Sequence, residues 1–200
     1  MKNSGMLISD LNFSEVNMIY DSWQWKKELT RQRKKIKHLA KKRWNDRTLK
    51  KSSHQIDLAF LTSAFIIRKL IESDKLSNEA DLYKLNVICY TPRRHIDKLH
   101  KWIEDGDYEW GERKSEIVSA KTICNSLIHS YVYSPYFSET HKLIGFLVVS
   151  DHGRNELLYE IELQDWMDYM IFIETDDVCE ASMHFNEKKD DYILTTKKRG

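Results

Sequence analysis

Residues 112–133 read ERKSEIVSAKTICNSLIHSYVY, and this stretch decides the fold class. Ile117, Ala120, Cys124, Leu127, Ile128 and Tyr131 recur at spacings of three and four, the period of a helix with one apolar face. No Gly or Pro interrupts it until Ser134-Pro135, which stops it. The pattern predicts one long helix from Glu112 to Tyr133.

The same period extends toward the N-terminus. Pro92, with Thr91 as N-cap, opens a helix carrying Ile96, Leu99, His100 and Ile103, which ends at Asp105-Gly106-Asp107. Before it, Leu85 to Tyr90 is short and β-prone. Gln55 to Ser73 is apolar on nearly all sides, as befits a helix at the centre of a bundle. The first helix, straight or with a mid-chain bend, runs from about Glu15 to about Arg47, with Asn12 or Ser14 as N-cap, and Val16, Ile19, Tyr20, Trp23, Leu29, Ile36, Leu39, Ala40 and Trp44 in its apolar positions. After Pro135 the period changes. Leu143–Val149 and Leu157–Leu163 are strand-like runs joined by a turn over Ser150–Asn155, hence a β-hairpin. A short helix over Asp165–Ile173, a strand over Cys179–Phe185 and a polar tail follow. The expected fold is therefore α+β and mostly α. It is one domain over 1–200, with an antiparallel bundle of about four helices over 12–134 and a β-hairpin appendage over 141–200.

Composition bounds the function classes. The 200 residues are 41% hydrophobic and 12% aromatic, enough for one buried core and too apolar for a disordered chain. Cys89, Cys124 and Cys179 are widely spaced and odd in number, so they form neither a disulfide framework nor a CxxC zinc pair. No signal-peptide core occurs near Met1. The longest apolar stretch, Ile56 to Ile71, is too short and too polar to span a bilayer. A cytoplasmic protein with no membrane contact is the expectation.

The net charge of +1 conceals an asymmetry. Residues 26–51 hold 13 Lys and Arg against two acids, and the remaining chain holds 19 against 29. Lys34, Lys35, Lys41, Lys42 and Arg43 lie in this run, and such a density of like charge calls for a polyanion, nucleic acid first among them. His38, Trp25 and Trp44 are placed to stack on unpaired bases. Two plainer readings stand beside this one: the basic helix pairs with the chain's own acidic surface, or it docks on an acidic protein.

On the helix over 112–133, Lys121, Asn125 and His129 fall at i, i+4 and i+8 on a polar face. A histidine so placed can act as general acid or base near neutral pH. A helical bundle whose last long helix carries Asn125-Ser-Leu-Ile-His129 resembles the HEPN superfamily, many of whose members are metal-independent endoribonucleases of toxin–antitoxin, anti-phage and CRISPR systems. The resemblance covers one helix by motif, and residues 12–134 by architecture. It implies that His129 activates a ribose 2′-hydroxyl beside Asn125, while an Arg steadies the phosphate. Here Cys124 occupies the Arg position, so that cation is missing; Lys121, Arg93 and Arg94 are the candidates to replace it.

Other signals fail. None of the eight His pairs at HxxxH spacing, and there is no HExxH, Gly-rich phosphate loop or nucleophile elbow. His141 and His152 flank the hairpin and are candidates to approach each other. No metal and no cofactor is expected. The leading expectation is a non-catalytic, HEPN-like, nucleic-acid-associated protein, with RNA preferred over DNA. It would act in a complex or homodimer, in a toxin–antitoxin or anti-phage setting. The alternatives are a metal-independent endoribonuclease with His129 as base, and a protein-interaction subunit.

Overall fold

The computed structural model describes residues 21–99, 102–188 and 190–198. It contradicts the helical bundle. Helix α1 (Ser22–Ala40) buries Leu29, Ile36 and Leu39. The chain then turns, and α2 (Asp46–Glu72) begins at a capping box: the Asn45 side chain accepts from the Thr48 N–H at 2.9 Å, and Thr48 Oγ1 accepts from the Asn45 N–H at 2.8 Å. That reciprocal cap divides what the periodicity joined into one helix through Arg47, and it starts the second helix well before Gln55. The expected caps Asn12 and Ser14, the first turns of the first helix, and His100 lie outside the described residues.

A short helix α3 (Asn78–Leu82) leads into β1 (Lys84–Tyr90), the expected strand. The region read as one helix from Glu112 to Tyr133 is three elements: β2 (Lys114–Ser119), α4 (Ala120–Ile128) and β3 (Ser130–Phe137). Next come β4 (Leu143–Ser150), β5 (Leu158–Glu162), α5 (Leu163–Thr175), β6 (Val178–Asn186) and β7 (Asp191–Lys198). Five strands form one antiparallel sheet in the order β2-β1-β5-β4-β3, and β6 and β7 form a second sheet. The expected β4–β5 hairpin is thus the middle of the principal sheet, not an appendage. Pro135, read as a helix stop, lies in β3, an edge strand where its missing N–H is tolerated.

α4 joins the two edge strands directly. Its nine residues rise about 13 Å, whereas five flat strands would separate those edges by roughly 19 Å. The sheet therefore curls around the helix. Gly145 serves the tight packing at the β4–β5 ladder: a Cβ there would lie 2.2 Å from the Ile161 carbonyl oxygen.

Alternation along the strands divides two cores. Leu85, Val87, Cys89, Phe146, Val148 and Ile161 face α1, α2, α4 and α5. Tyr90, Val132, Leu147, Val149 and Leu158 face the opposite way, and residues 91–99 and 102–113 cover them with Ile96 and Tyr108. This cover is irregular where a helix from Pro92 was expected. Its N–H groups find side-chain acceptors, Ile96 N–H on Asn155 Oδ1 at 2.7 Å and Glu104 N–H on Asp107 Oδ2 at 2.8 Å, so burial of Ile96 and Tyr108 prevails over helix propensity. No helix among the described residues is long and apolar enough to cross a membrane.

Candidate functional site

From Lys34 onward the basic run folds into one end of the α1–α2 hairpin. Of its thirteen cations, Lys27 lies 5.9 Å from the centre of the Trp23 ring, and three more are used by the fold. Arg33 makes two hydrogen bonds to Glu174 of α5, at 2.8 and 2.7 Å, and these hold its guanidinium pKa above the ordinary value against the opposing effect of burial. Buried Lys26 donates to the Asp176 carbonyl and lies 3.3 Å from Asp177, and Arg31 pairs with Glu28 at 3.3 Å. The others are different. Lys34, Lys37, Lys41, Lys42, Arg43, Arg47, Lys50 and Lys51 are exposed and Lys35 is half-buried. Among the described residues none of these nine forms an ion pair with a carboxylate.

Position explains only some of this charge. Lys37 at the C-terminal end of α1 complements the helix field, but Arg47, Lys50 and Lys51 stand at the positive end of α2 and oppose it. Of the expected stacking side chains, Trp44 is buried, its indole N–H donating to the Leu39 carbonyl at 3.1 Å and its ring against Phe137. Trp25 packs against Phe65. His38 alone of the three is exposed at the basic end.

Asn125 and His129 open onto a different place. α4 ends at Ile128, and His129 is its C-cap residue, its N–H bonded to the Asn125 carbonyl at 2.9 Å. Together with Arg68 of α2 and Ser150, Asp151 and His152 at the end of β4, they line a cleft of about 450 Å³. The Asn125 Oδ1 atom is buried there without a hydrogen-bond partner among the described residues. Arg68 gives its Nε–H to Glu72 at 2.7 Å, leaving guanidinium donors for the cleft. The cation beside Asn125 and His129 in this cleft thus belongs to α2, a source no local motif announces. Lys121 instead pairs with Asp81, while Arg93 pairs with Glu109 and Arg94 with Glu104 and Asp107. His141 and His152 do not meet: they flank opposite ends of the eight-residue strand β4, roughly 25 Å apart. Arg47 and Arg68 are 21 residues apart on α2, so about 30 Å of helix separates the basic end from the cleft.

No family model, curated protein or solved structure matches this chain. The reading of the two places therefore rests on their chemistry alone. No group of three or more metal-ligating side chains occurs among the described residues.

A third feature was missed in the sequence. Glu160 of β5 is buried, receives the Tyr90 hydroxyl at 2.5 Å and the Arg113 guanidinium at 2.8 Å, and floors a cavity of about 470 Å³. Burial and the hydrogen bond to Glu160 both raise the Tyr90 pKa. The only signal was a pair of carboxylates, Glu160 and Glu162, inside the run Leu157–Leu163, of which the fold buries Glu160. Both carboxylate oxygens are engaged, so the trio locks β1, β5 and the start of β2 together.

The thiols offer no nucleophile to either place. Burial pushes Cys89 up to about 11 and Cys124 up to about 12, and the nearby Arg68 charge only partly opposes the latter. In the folded protein a thiol reagent modifies exposed Cys179 alone, and denaturant releases the other two. Rapid native labelling of Cys124 would show that α4 opens far more readily than its packing implies.

Proposed function

We propose that the protein binds nucleic acid, single-stranded RNA before duplex DNA, through the basic end of the α1–α2 hairpin. One observation carries this reading: nine cations gathered there lack carboxylate partners among the described residues, in a chain whose remainder is acidic. That weighs against self-pairing as the reason for the charge. Lys34, Lys35, Lys41, Lys42 and Arg43 contact phosphates, and His38 is placed to stack on a base. The test is binding of labelled single-stranded RNA and duplex DNA across a salt series. With about five phosphates neutralised, log K against log salt falls with a slope of about −3.5 for single strands. Absence of binding at low salt would retire the proposal and leave the basic end as a docking surface for an acidic protein.

A second reading is favoured by the cleft, where Arg68, His129 and His152 come together. On it, one imidazole takes the proton of a ribose 2′-hydroxyl, and the 2′-oxygen attacks phosphorus. The other imidazole protonates the leaving 5′-oxygen, giving a 2′,3′-cyclic phosphate and a 5′-hydroxyl end. Arg68 steadies the phosphate. RNA is then cleaved in the presence of chelator, and His129→Ala and Arg68→Gln each lower the rate by about 10² or more. RNA that stays intact at high protein concentration sinks this reading without touching the first.

A further inference from the structure

The β6–β7 hairpin stands apart from both cores. It is attached through β7: the Thr196 N–H donates to Asn78 Oδ1 and its hydroxyl to the Leu76 carbonyl, both at 2.8 Å, and Lys198 pairs with Glu79 at 2.8 Å. β6 is the outer strand. All its residues from Val178 to Phe185 are exposed, and among the described residues β7 is its only sheet partner, so one edge carries backbone N–H and C=O groups with no strand beside them there. A two-stranded sheet with no core behind it is marginal in water, and a long exposed edge is a template for another strand.

The face of the hairpin is apolar as well. The register sets Phe185 against Tyr192, Met183 against Leu194 and Ala181 against Thr196. Met183 is 67% exposed, Phe185 50% and Tyr192 65%, a patch of a kind that marks an interaction surface.

We propose that β6 pairs antiparallel with β6 of a second copy of the chain, about a two-fold axis at Ser182, to give a four-stranded sheet spanning the dimer. Ser182 is the midpoint of the nine-residue strand, and the segment from Glu180 to His184 on either side of it lies past the bulge at Val178–Glu180, in the regularly paired part. It sets each Glu180 carboxylate opposite the imidazole of His184 in the second copy, twice by symmetry. On the other face it sets Met183 opposite Ala181. Alternation makes the two sets consistent, because facing residues across this axis have the same parity and share a face. Shifting the axis by one residue in either direction loses the Glu180–His184 pairing. Glu180 now lies 3.2 Å from Lys197, but both are exposed, so this ion pair is weak and does not tie the carboxylate down.

Sedimentation velocity on the full chain over a concentration series tests this independently of any nucleic acid. The wild type dimerises. Ser182→Lys opposes two like charges at the axis and weakens the dimer about tenfold or more. Glu180→Lys weakens it too, and adding His184→Glu to that variant restores it. Circular dichroism stays unchanged throughout, because β6 lies outside both cores. A wild type that remains monomeric at every concentration overturns the proposal. So does a dimer indifferent to Ser182→Lys, and a combined variant that fails to recover overturns the register.

Discussion

Changing Lys34, Lys35, Lys41, Lys42 and Arg43 to Gln lowers affinity for single-stranded RNA at moderate salt by about a hundredfold or more, and it flattens the salt dependence by about 3.5 log units per log unit. The two readouts have one cause. Each phosphate contact releases condensed counterions, so removing the contact removes both affinity and its sensitivity to salt. The variant stays folded, because none of the five side chains makes an ion pair among the described residues and only Lys35 is even half-buried. Relief of mutual repulsion leaves its stability equal or slightly higher. The control removes charge elsewhere: Lys84, Lys98, Lys114 and Lys188 are exposed and lie off the basic end, and their change to Gln leaves the slope nearly as it was. If both variants lose affinity equally, the attraction belongs to net charge and not to the α1–α2 end.

Trp166→Ala lowers the free energy of unfolding by about 3–5 kcal/mol, a large share of the roughly 5–15 kcal/mol typical of a domain. Trp166 is fully buried in α5, edge-on to Phe146 of β4 at 5.6 Å and to Tyr169 at 6.0 Å. Its indole N–H donates to Ser63 Oγ of α2 at 3.2 Å. One side chain therefore joins α5, α2 and the sheet. Its removal leaves a cavity that three rigid elements cannot readily fill. Ser63 keeps its own bond to the Phe60 carbonyl, so the cost is chiefly packing. Urea unfolding gives the value, and a loss under about 1 kcal/mol would mean that the helices close over the gap. RNA affinity, measured where the variant is folded, is unaffected, which separates this core from the basic end.

Elements whose apolar pattern agrees with their final surroundings were legible in the chain. β1, β4, β5 and β6 follow β-prone runs, α5 follows its helical period, and Cys124 is buried as its place in the stripe implied. Residues 112–133 were misread, because the helical period of their apolar residues masked the β-branched and aromatic ends, Ile117-Val118 and Tyr131-Val132-Tyr133, where strand pairing takes over. β2 exists because β1 offers it a ladder from Lys84–Ser119 to Cys89–Lys114, and β3 exists because β4 does the same. Ile117, predicted on the core face, is instead 69% exposed on an edge strand. The break near Asn45 had a local signal, the Asn45–Thr48 capping box, but the continuing period masked it.

The two candidate sites divide in the same way. The density of positive charge in residues 26–51 is a property of the chain, since charge survives folding wherever no partner is supplied. Which of those cations are used was decided largely by the tertiary structure, which brought Glu174 to Arg33 and the Asp176 carbonyl to Lys26 and left nine others without a carboxylate partner among the described residues. Asn125 and His129 were visible as a helical i, i+4 pair, whereas Arg68 and His152 joined them only when α2 and the end of β4 closed around the end of α4. Composition and local period act over a few residues. Strand pairing and cleft assembly act between residues far apart in sequence, and their energies are set by partners that no short window of the chain contains.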